Sequence, residues 1–379
     1  MTDFLFYGAT ERSAAMRHEL PIVILGRFLL GIVGGRMHVE ANPLEVERIA
    51  AAAPDAVLHD LRTLGLHELL ASGIDDHQLD LECASRAAAA MGVWEAVVDP
   101  DMPVAIADRL RADGIVLRSD PQAIASRRRV KSAAELAGIR RAQAAAEAGM
   151  RAATALLRQA APEERQLVLG RGPLTAEAVR AELRDACQRH GAPAPPDVIV
   201  ASVWQGSDHE PGSGPLPANL PIQVDVWPCD EVSGCWADMT RTFVVGDVSE
   251  AVRTQEALVR EALESARAAV RPGVSGRELY DITCNVFEAA AFRTQRTGPT
   301  DSDPDDGFLS FLGHGVGLQV HEDPSLRGGG DARLVAGDVI ALEPYLWQSE
   351  IGGVRFEDLL LVTAEGSDTL TDYPYDLAP

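Results

Sequence analysis

Four carboxylates in this chain stand where an apolar core would not place them. Asp225 interrupts the run Ile222-Gln223-Val224-Asp225-Val226-Trp227, and Asp238 opens Met239 to Val245. Glu343 closes Val339 to Leu342 and is followed by Pro344, and Glu357 lies inside Val354 to Val362. His314 sits between Gly313 and Gly315, with His321 seven residues on. Buried together, four carboxylates cannot stay ionised without cations, whereas two divalent ions balance their charge and His314 adds a neutral nitrogen donor. A dinuclear metal site satisfies these residues. Mostly oxygen donors with one imidazole suit manganese, cobalt, iron or zinc, rather than a thiolate-held structural zinc.

The elements that must position these groups are legible from periodicity. Strand-like runs cover Val198 to Ser202, Ile222 to Trp227, Met239 to Val245, Leu318 to Val320, Val339 to Leu342 and Val354 to Thr363. Period-two geometry puts Asp238, Thr240 and Thr242 on one face, and Arg355 with Glu357 on another. Ser132 and Glu135 have capping-box spacing ahead of Leu136, Ile139, Ala142, Ala146 and Met150, which predicts a helix over about 132–157. Ser275 and Glu278 form a second box, and further helices are expected over Thr175 to His190 and Glu250 to Val270. Before residue 128, runs at Ile22 to Leu25, Ala56 to Leu58 and Ala96 to Val98 alternate with helical stretches at Glu45 to Ala52 and Leu79 to Ala90. That alternation predicts a smaller α/β domain over 1–127 and a larger domain over 128–379, joined by the 132–157 helix.

Composition narrows the partners. With 379 residues, 46% hydrophobic and 24% charged, the chain has material for a real core, and its net charge of −23 repels phosphate backbones and anionic headgroups. Nucleic acid and membrane surfaces are therefore not expected partners, and Arg127-Arg128-Arg129 reads as a solvated linker. Lys131 is the chain's one lysine. The run Pro21 to Gly35 is broken by Arg27 and fits neither a secretory signal nor a membrane span. Five scattered cysteines form no disulfide framework, so a reducing cytoplasm is the expected compartment. Cys229 and Cys235 can bind metal or pair, but read best as ordinary hairpin residues. The acidic stretch Thr300 to Gly307 departs from a calcium loop, with Asp306 at position six and Leu312 at position twelve, and reads as a surface loop.

Taken in order, Val224-Asp225, Ala237-Asp238-Met239-Thr240-Arg241-Thr242, Gly313-His314-Gly315-Val316-Gly317-Leu318-Gln319-Val320-His321-Glu322, Leu342-Glu343-Pro344 and Val354-Arg355-Phe356-Glu357-Asp358 resemble the pita-bread metallopeptidases. These include Xaa-Pro aminopeptidases, prolidases and methionine aminopeptidases. The resemblance covers roughly residues 128 to 365, and Arg129-Val130-Lys131-Ser132 resembles the linker of the proline-specific branch. It implies an α+β chain: a pita-bread catalytic domain preceded by a smaller α/β creatinase-like domain. It further implies that Asp225 holds one metal, that Asp238 and Glu357 bridge both, and that His314 and Glu343 hold the second. Manganese is the first expectation, with cobalt, zinc or iron as alternatives.

The implied chemistry is hydrolysis of the Xaa-Pro bond at the N-terminus of peptides or in dipeptides, by a hydroxide bridging the two ions. Glu343 would shuttle the proton, His321 and His209 would hydrogen-bond the oxyanion or the following carbonyl, and Arg355 would orient Glu357 or a neighbouring carboxylate. His209 has a rival reading as an exposed loop residue. A homodimer is expected from the resemblance alone. Three features depart from the pattern: an Asp225 to Asp238 spacing of thirteen, Asp225-Val226-Trp227-Pro228 in place of Asp-x-Gly, and Asp208-His209 in place of Pro-His. All bear on the pocket that selects proline. The alternative is a metal-dependent member acting on a small non-peptide substrate, as hydrolase or lyase.

Overall fold

The computed structural model describes residues 2–203, 205, 210–298 and 306–379. His209 and most of the acidic stretch 300–307 therefore lie outside the described residues. The chain divides into two compact units, Met1–Arg128 and Arg129–Pro379.

In the first unit, β1 (Phe4–Gly8), β2 (Phe28–Val33), β3 (Arg36–Ala41), β4 (Val57–Asp60), β5 (Glu95–Val98) and β6 (Val116–Ser119) form one sheet in the order β4-β3-β2-β1-β5-β6. β1, β2 and β3 run antiparallel, while β4, β5 and β6 join in parallel after helical crossovers. Alternation along β1 sends Leu5 and Tyr7 to one apolar layer, and Phe4 and Phe6 to the other. Helices Asp76–Met91 and Val104–Ala112 cover the first layer, and Ala14–Glu19 and Val46–Ala52 contribute to the second. The expected strand at Ile22 to Leu25 is irregular chain. The Ile24 N–H donates to Thr10 Oγ1 at 2.7 Å, so a side chain takes the place of a ladder partner.

In the second unit, β7 (Ala161–Glu163), β8 (Gln166–Leu169) and β9 (Gly172–Pro173) form a small antiparallel sheet. A three-stranded antiparallel sheet, β10 (Ile199–Ala201), β11 (Ile222–Val226) and β12 (Met239–Phe243), packs against helices Ala133–Leu157 and Ala176–Arg189. The five-stranded sheet runs β14-β13-β15-β18-β19, built from β13 (Gly313–Gly315), β14 (Glu322–Leu326), β15 (Val339–Leu342), β18 (Asp358–Val362) and β19 (Ser367–Thr369). The hairpin β16 (Tyr345–Gln348) and β17 (Gly352–Arg355) joins it, and helices Glu250–Ala269 and Gly276–Ala289 close its core.

Both expected capping boxes form, at Ser132 with Glu135 and at Ser275 with Glu278. Leu318 to Val320 is not a strand. The Gly317 N–H turns back to Gln319 O at 3.0 Å, and a register shift after His314 breaks the pairing. The expected strand from Val354 to Thr363 is two strands separated at Phe356-Glu357. None of the five cysteines forms a disulfide. Arg127 pairs with Glu19, and Arg129 with Asp338, so these arginines of the basic stretch serve folded contacts. Among the described residues no helix is long and apolar enough to cross a membrane.

An aromatic cluster holds the second helix pair to its sheet. Phe308 lies 5.4 Å from Tyr280, 5.4 Å from Phe287 and 5.8 Å from Tyr345, ring centre to ring centre. Phe287 is fully buried, so Phe287→Ala is expected to cost about 3–5 kcal/mol in urea unfolding. A loss below about 1 kcal/mol would mean the ring does not anchor the helix.

Candidate metal centre

The acidic residues arrive from separate strands because strand pairing brings their ends together. Asp225 lies opposite Thr240 in the β11–β12 register, and Asp238 enters from the residue just before β12. Leu342 pairs with Asp358 at the ends of β15 and β18, which sets Glu343 and Glu357 side by side. The two sheets are stitched where the Glu357 N–H donates to Thr240 O at 3.1 Å. The break between β17 and β18 is therefore what turns Glu357 into the cluster. Gly313 and Gly315 let the strand carrying His314 pass close to its neighbours. A Cβ at Gly313 would meet Ala341 O at 1.9 Å, and one at Gly315 would meet Asp323 O at 2.3 Å.

The side chains converge. Donor atoms lie within 4.8 Å of one another in three sets: Asp225, Asp238 and Glu357; His314, Glu343 and Glu357; and Asp238, His314 and His321. His314 Nε2 is 3.6 Å from Asp238 Oδ2 and 3.5 Å from Glu343 Oε1. Its Nδ1 sits 3.1 Å from Gly315 O, which favours the tautomer whose Nε2 lone pair faces the carboxylates. The His321 ring stands edge-on to His314 at 4.2 Å. Arg355 Nη1 lies 3.7 Å from Asp225 Oδ2 and 3.8 Å from Glu343 Oε2, so its carboxylate neighbours in the cluster are these two. The Arg355 guanidinium also lies 4.8 Å over the Tyr345 ring, tying the cluster to the aromatic core.

Electrostatics identify the kind of ligand the cluster suits. Burial raises the Asp238 carboxyl well above its ordinary range, and the charges of Asp225 and Glu343 add to the shift. Glu357 is raised by burial first, then by Asp238, Glu343 and Asp225. Burial lowers His314 to about 4, leaving a neutral imidazole at physiological pH. Thr240 Oγ1 donates to Glu357 Oε2 at 2.7 Å, whereas Glu357 Oε1 is buried and has no hydrogen-bond partner among the described residues. A neutral nitrogen donor, acids whose carboxyls are raised by burial and then by mutual repulsion, and an orphaned carboxylate oxygen fit divalent cations.

Sequence patterning did not foresee the partners of Lys131 and Thr240. Lys131 and Glu322 form an ion pair with both side chains 2% exposed, immediately after His321 in the chain. Thr240 shares the Asp238 face, as its alternation indicated, but its bond to Glu357 depends on the break in the partner strand.

Fold and cluster together are those of a pita-bread metalloenzyme. The chain belongs to metallopeptidase family M24, whose sequence pattern it matches over residues 137–364. It is 36% identical over 135 residues to an Xaa-Pro dipeptidase of Pyrococcus furiosus, a match covering 36% of this chain and 35% of that protein. A probable dipeptidase of Mycobacterium tuberculosis is 28% identical over 201 residues, covering 52% of this chain and 50% of that one. These matches thus span about a third to a half of each relative's length. The fold is that of a prolidase from Pyrococcus horikoshii (TM-score 0.75, 21% identity, 100% of this chain and 95% of that chain). It is equally that of an X-Pro aminopeptidase from Thermotoga maritima (TM-score 0.76, 18% identity, 99% and 97%).

The raised carboxyls set a sign for stability without metal. A group whose folded pKa lies above its unfolded value stabilises the fold at low pH and loses that contribution as pH rises through the folded value. Metal-free Asp238→Asn is therefore expected to unfold at a higher temperature than metal-free wild type at about pH 8, with the gap closing toward about pH 4. A gap independent of pH in calorimetric scans would mean that Asp238 carries no buried-charge penalty.

Proposed function

We propose that the chain is a dinuclear metal-dependent peptidase hydrolysing the Xaa-Pro bond at the N-terminus of peptides or in dipeptides. The observation that carries this proposal is the convergence of Asp225, Asp238, His314, Glu343 and Glu357 from five separate segments onto one cluster. Asp225 is assigned to one ion, Asp238 and Glu357 to both, and His314 with Glu343 to the second. The ions, manganese before cobalt, zinc or iron, supply a water acidified to near neutral pH and polarisation of the scissile carbonyl. The names of the similar proteins, Xaa-Pro dipeptidase, prolidase and X-Pro aminopeptidase, support the bond class.

The chain's own groups do the rest. Glu343 is assigned to accept the proton of the attacking water and pass it to the leaving nitrogen, with Arg355 Nη1 3.8 Å from its Oε2. His321, packed edge-on against His314, is assigned to hydrogen-bond the oxyanion. His209 is assigned the same task, from outside the described residues. The substrate's free amine is assigned to an ion or to Asp225, which would confine cleavage to the N-terminal bond. Residues 1–127 are assigned as the creatinase-like domain and 128–379 as the catalytic domain. A cytoplasmic homodimer completes the proposal, supported for the compartment by five cysteines that form no disulfide and for the dimer by the family resemblance.

Metal-stripped protein given manganese is expected to release alanine from Ala-Pro or Ala-Pro-Ala but not from Ala-Ala-Ala, with the ratio of the first two separating dipeptidase from aminopeptidase. Two bound ions with no cleavage of any of the three would move the substrate to a small non-peptide molecule. Glu343→Gln is expected to lower turnover by about 10²–10⁴-fold in a chain that remains folded. An unchanged turnover number would remove Glu343 from proton transfer.

A further inference from the structure

Arg241 is 1% exposed and heads the largest fully buried side chains of the protein. Thr240 and Thr242 occupy the cluster-facing side of β12, so Arg241 points the other way. Each of its five guanidinium N–H groups has an acceptor. Nη1 donates to Thr240 O at 2.9 Å and to Glu357 O at 2.7 Å, and Nη2 to Asp358 Oδ1 at 2.9 Å. The remaining two donors go elsewhere, Nη2 to Tyr373 O at 2.9 Å and Nε to Pro374 O at 2.8 Å.

Those last acceptors belong to a segment that follows β19 and carries none of the cluster's ligands. The Tyr375 hydroxyl donates to Asp358 Oδ2, and the Tyr375 ring lies 4.6 Å from the Arg241 guanidinium and 5.4 Å from Phe356. The segment is docked along its length: Leu359 N–H donates to Thr371 Oγ1 at 2.9 Å, Arg260 Nη2 to Tyr375 O at 3.1 Å, and Val244 N–H to Leu377 O at 2.7 Å. Glu357 is consequently gripped at its carbonyl by Arg241, at its N–H by Thr240 O and at its carboxylate by Thr240 Oγ1. Without the segment two guanidinium donors would lose their fixed acceptors and open to water, and the Arg241 side chain would no longer be held in one position. Thr240 and Glu357 would move with it.

We infer that Thr371–Leu377 is part of the metal centre's support and sets the affinity for the ions by positioning Glu357 through Arg241. This rests on the proposed role of Glu357 as a ligand shared by two ions. The test is calorimetric titration of metal-stripped protein with Mn²⁺, alongside the visible spectrum of the Co²⁺-loaded form, for wild type, Tyr375→Phe and a chain ended after Leu370. Tyr375→Phe keeps the ring and deletes only the hydroxyl. It is expected to bind the weaker ion about tenfold less tightly, and to lose more melting temperature with ions bound than without them. The shortened chain, where it folds, is expected to keep at most one ion and to show an altered Co²⁺ spectrum.

Wild-type affinities and spectrum in Tyr375→Phe, with an equal loss of melting temperature in both states, would reduce the segment to ordinary packing and overturn the inference. A wild-type protein that binds no ion would instead overturn the assignment of the cluster itself.

Discussion

Everything in the second unit is arranged around the mutual repulsion of Asp225, Asp238, Glu343 and Glu357. Two like charges about 4 Å apart cost roughly 4 kcal/mol at an effective dielectric of 20, and a domain is stable by only about 5–15 kcal/mol. The fold cannot hold the whole set ionised on its own resources. It responds by keeping Asp238 and Glu357 protonated in the absence of cations, and by keeping His314 neutral as a nitrogen donor. One guanidinium, Arg355, stands at 3.7–3.8 Å from two of the acids, within reach of ion pairing but outside hydrogen-bond distance. Such a cluster is expensive as architecture and useful as a receptor for divalent ions.

The surrounding backbone keeps that strained set in register. One sheet contributes Asp225 and Asp238, the other His314, Glu343 and Glu357, and the bond from Glu357 N–H to Thr240 O fixes one sheet against the other. Helix pairs pack against both sheets, so the acids sit on rigid strand ends rather than on free loops. Behind them Arg241 supplies a second buried positive charge, fully hydrogen-bonded and paired with Asp358 at 2.9 Å. The two arginines divide the work: Arg355 faces the acids, and Arg241 holds the chain that carries them.

Sequence patterning reached the acidic cluster because a carboxylate inside an apolar strand is conspicuous at single-residue resolution. Helix starts were equally legible, since Ser132 and Ser275 announce themselves through capping chemistry three residues long. Other features depended on long-range partners. Apolar residues at Ile22 to Leu25 and Leu318 to Val320 have the composition of strands, but a hydroxyl from Thr10 and the turn between Gly317 and Gln319 claim their backbone groups. The break before Asp358 leaves no mark in the period-two pattern of Val354 to Thr363, yet it aims Glu357. Four of the five acceptors of Arg241 lie more than a hundred residues further along the chain, beyond the reach of any periodicity.

The pairing of Lys131 with Glu322 has a practical corollary. The chain's one primary-amine side chain is 2% exposed and its other cations are guanidinium groups, so the folded surface offers amine-directed reagents no lysine. Succinimidyl esters, aldehyde fixatives and lysine-directed cross-linkers should pass this protein by at its side chains. A protease specific for lysine has a single peptide bond to cut, between Lys131 and Ser132, where the helix cap begins. Scission there would report the opening of the buried pair, giving a one-site clock for local unfolding beside the metal centre.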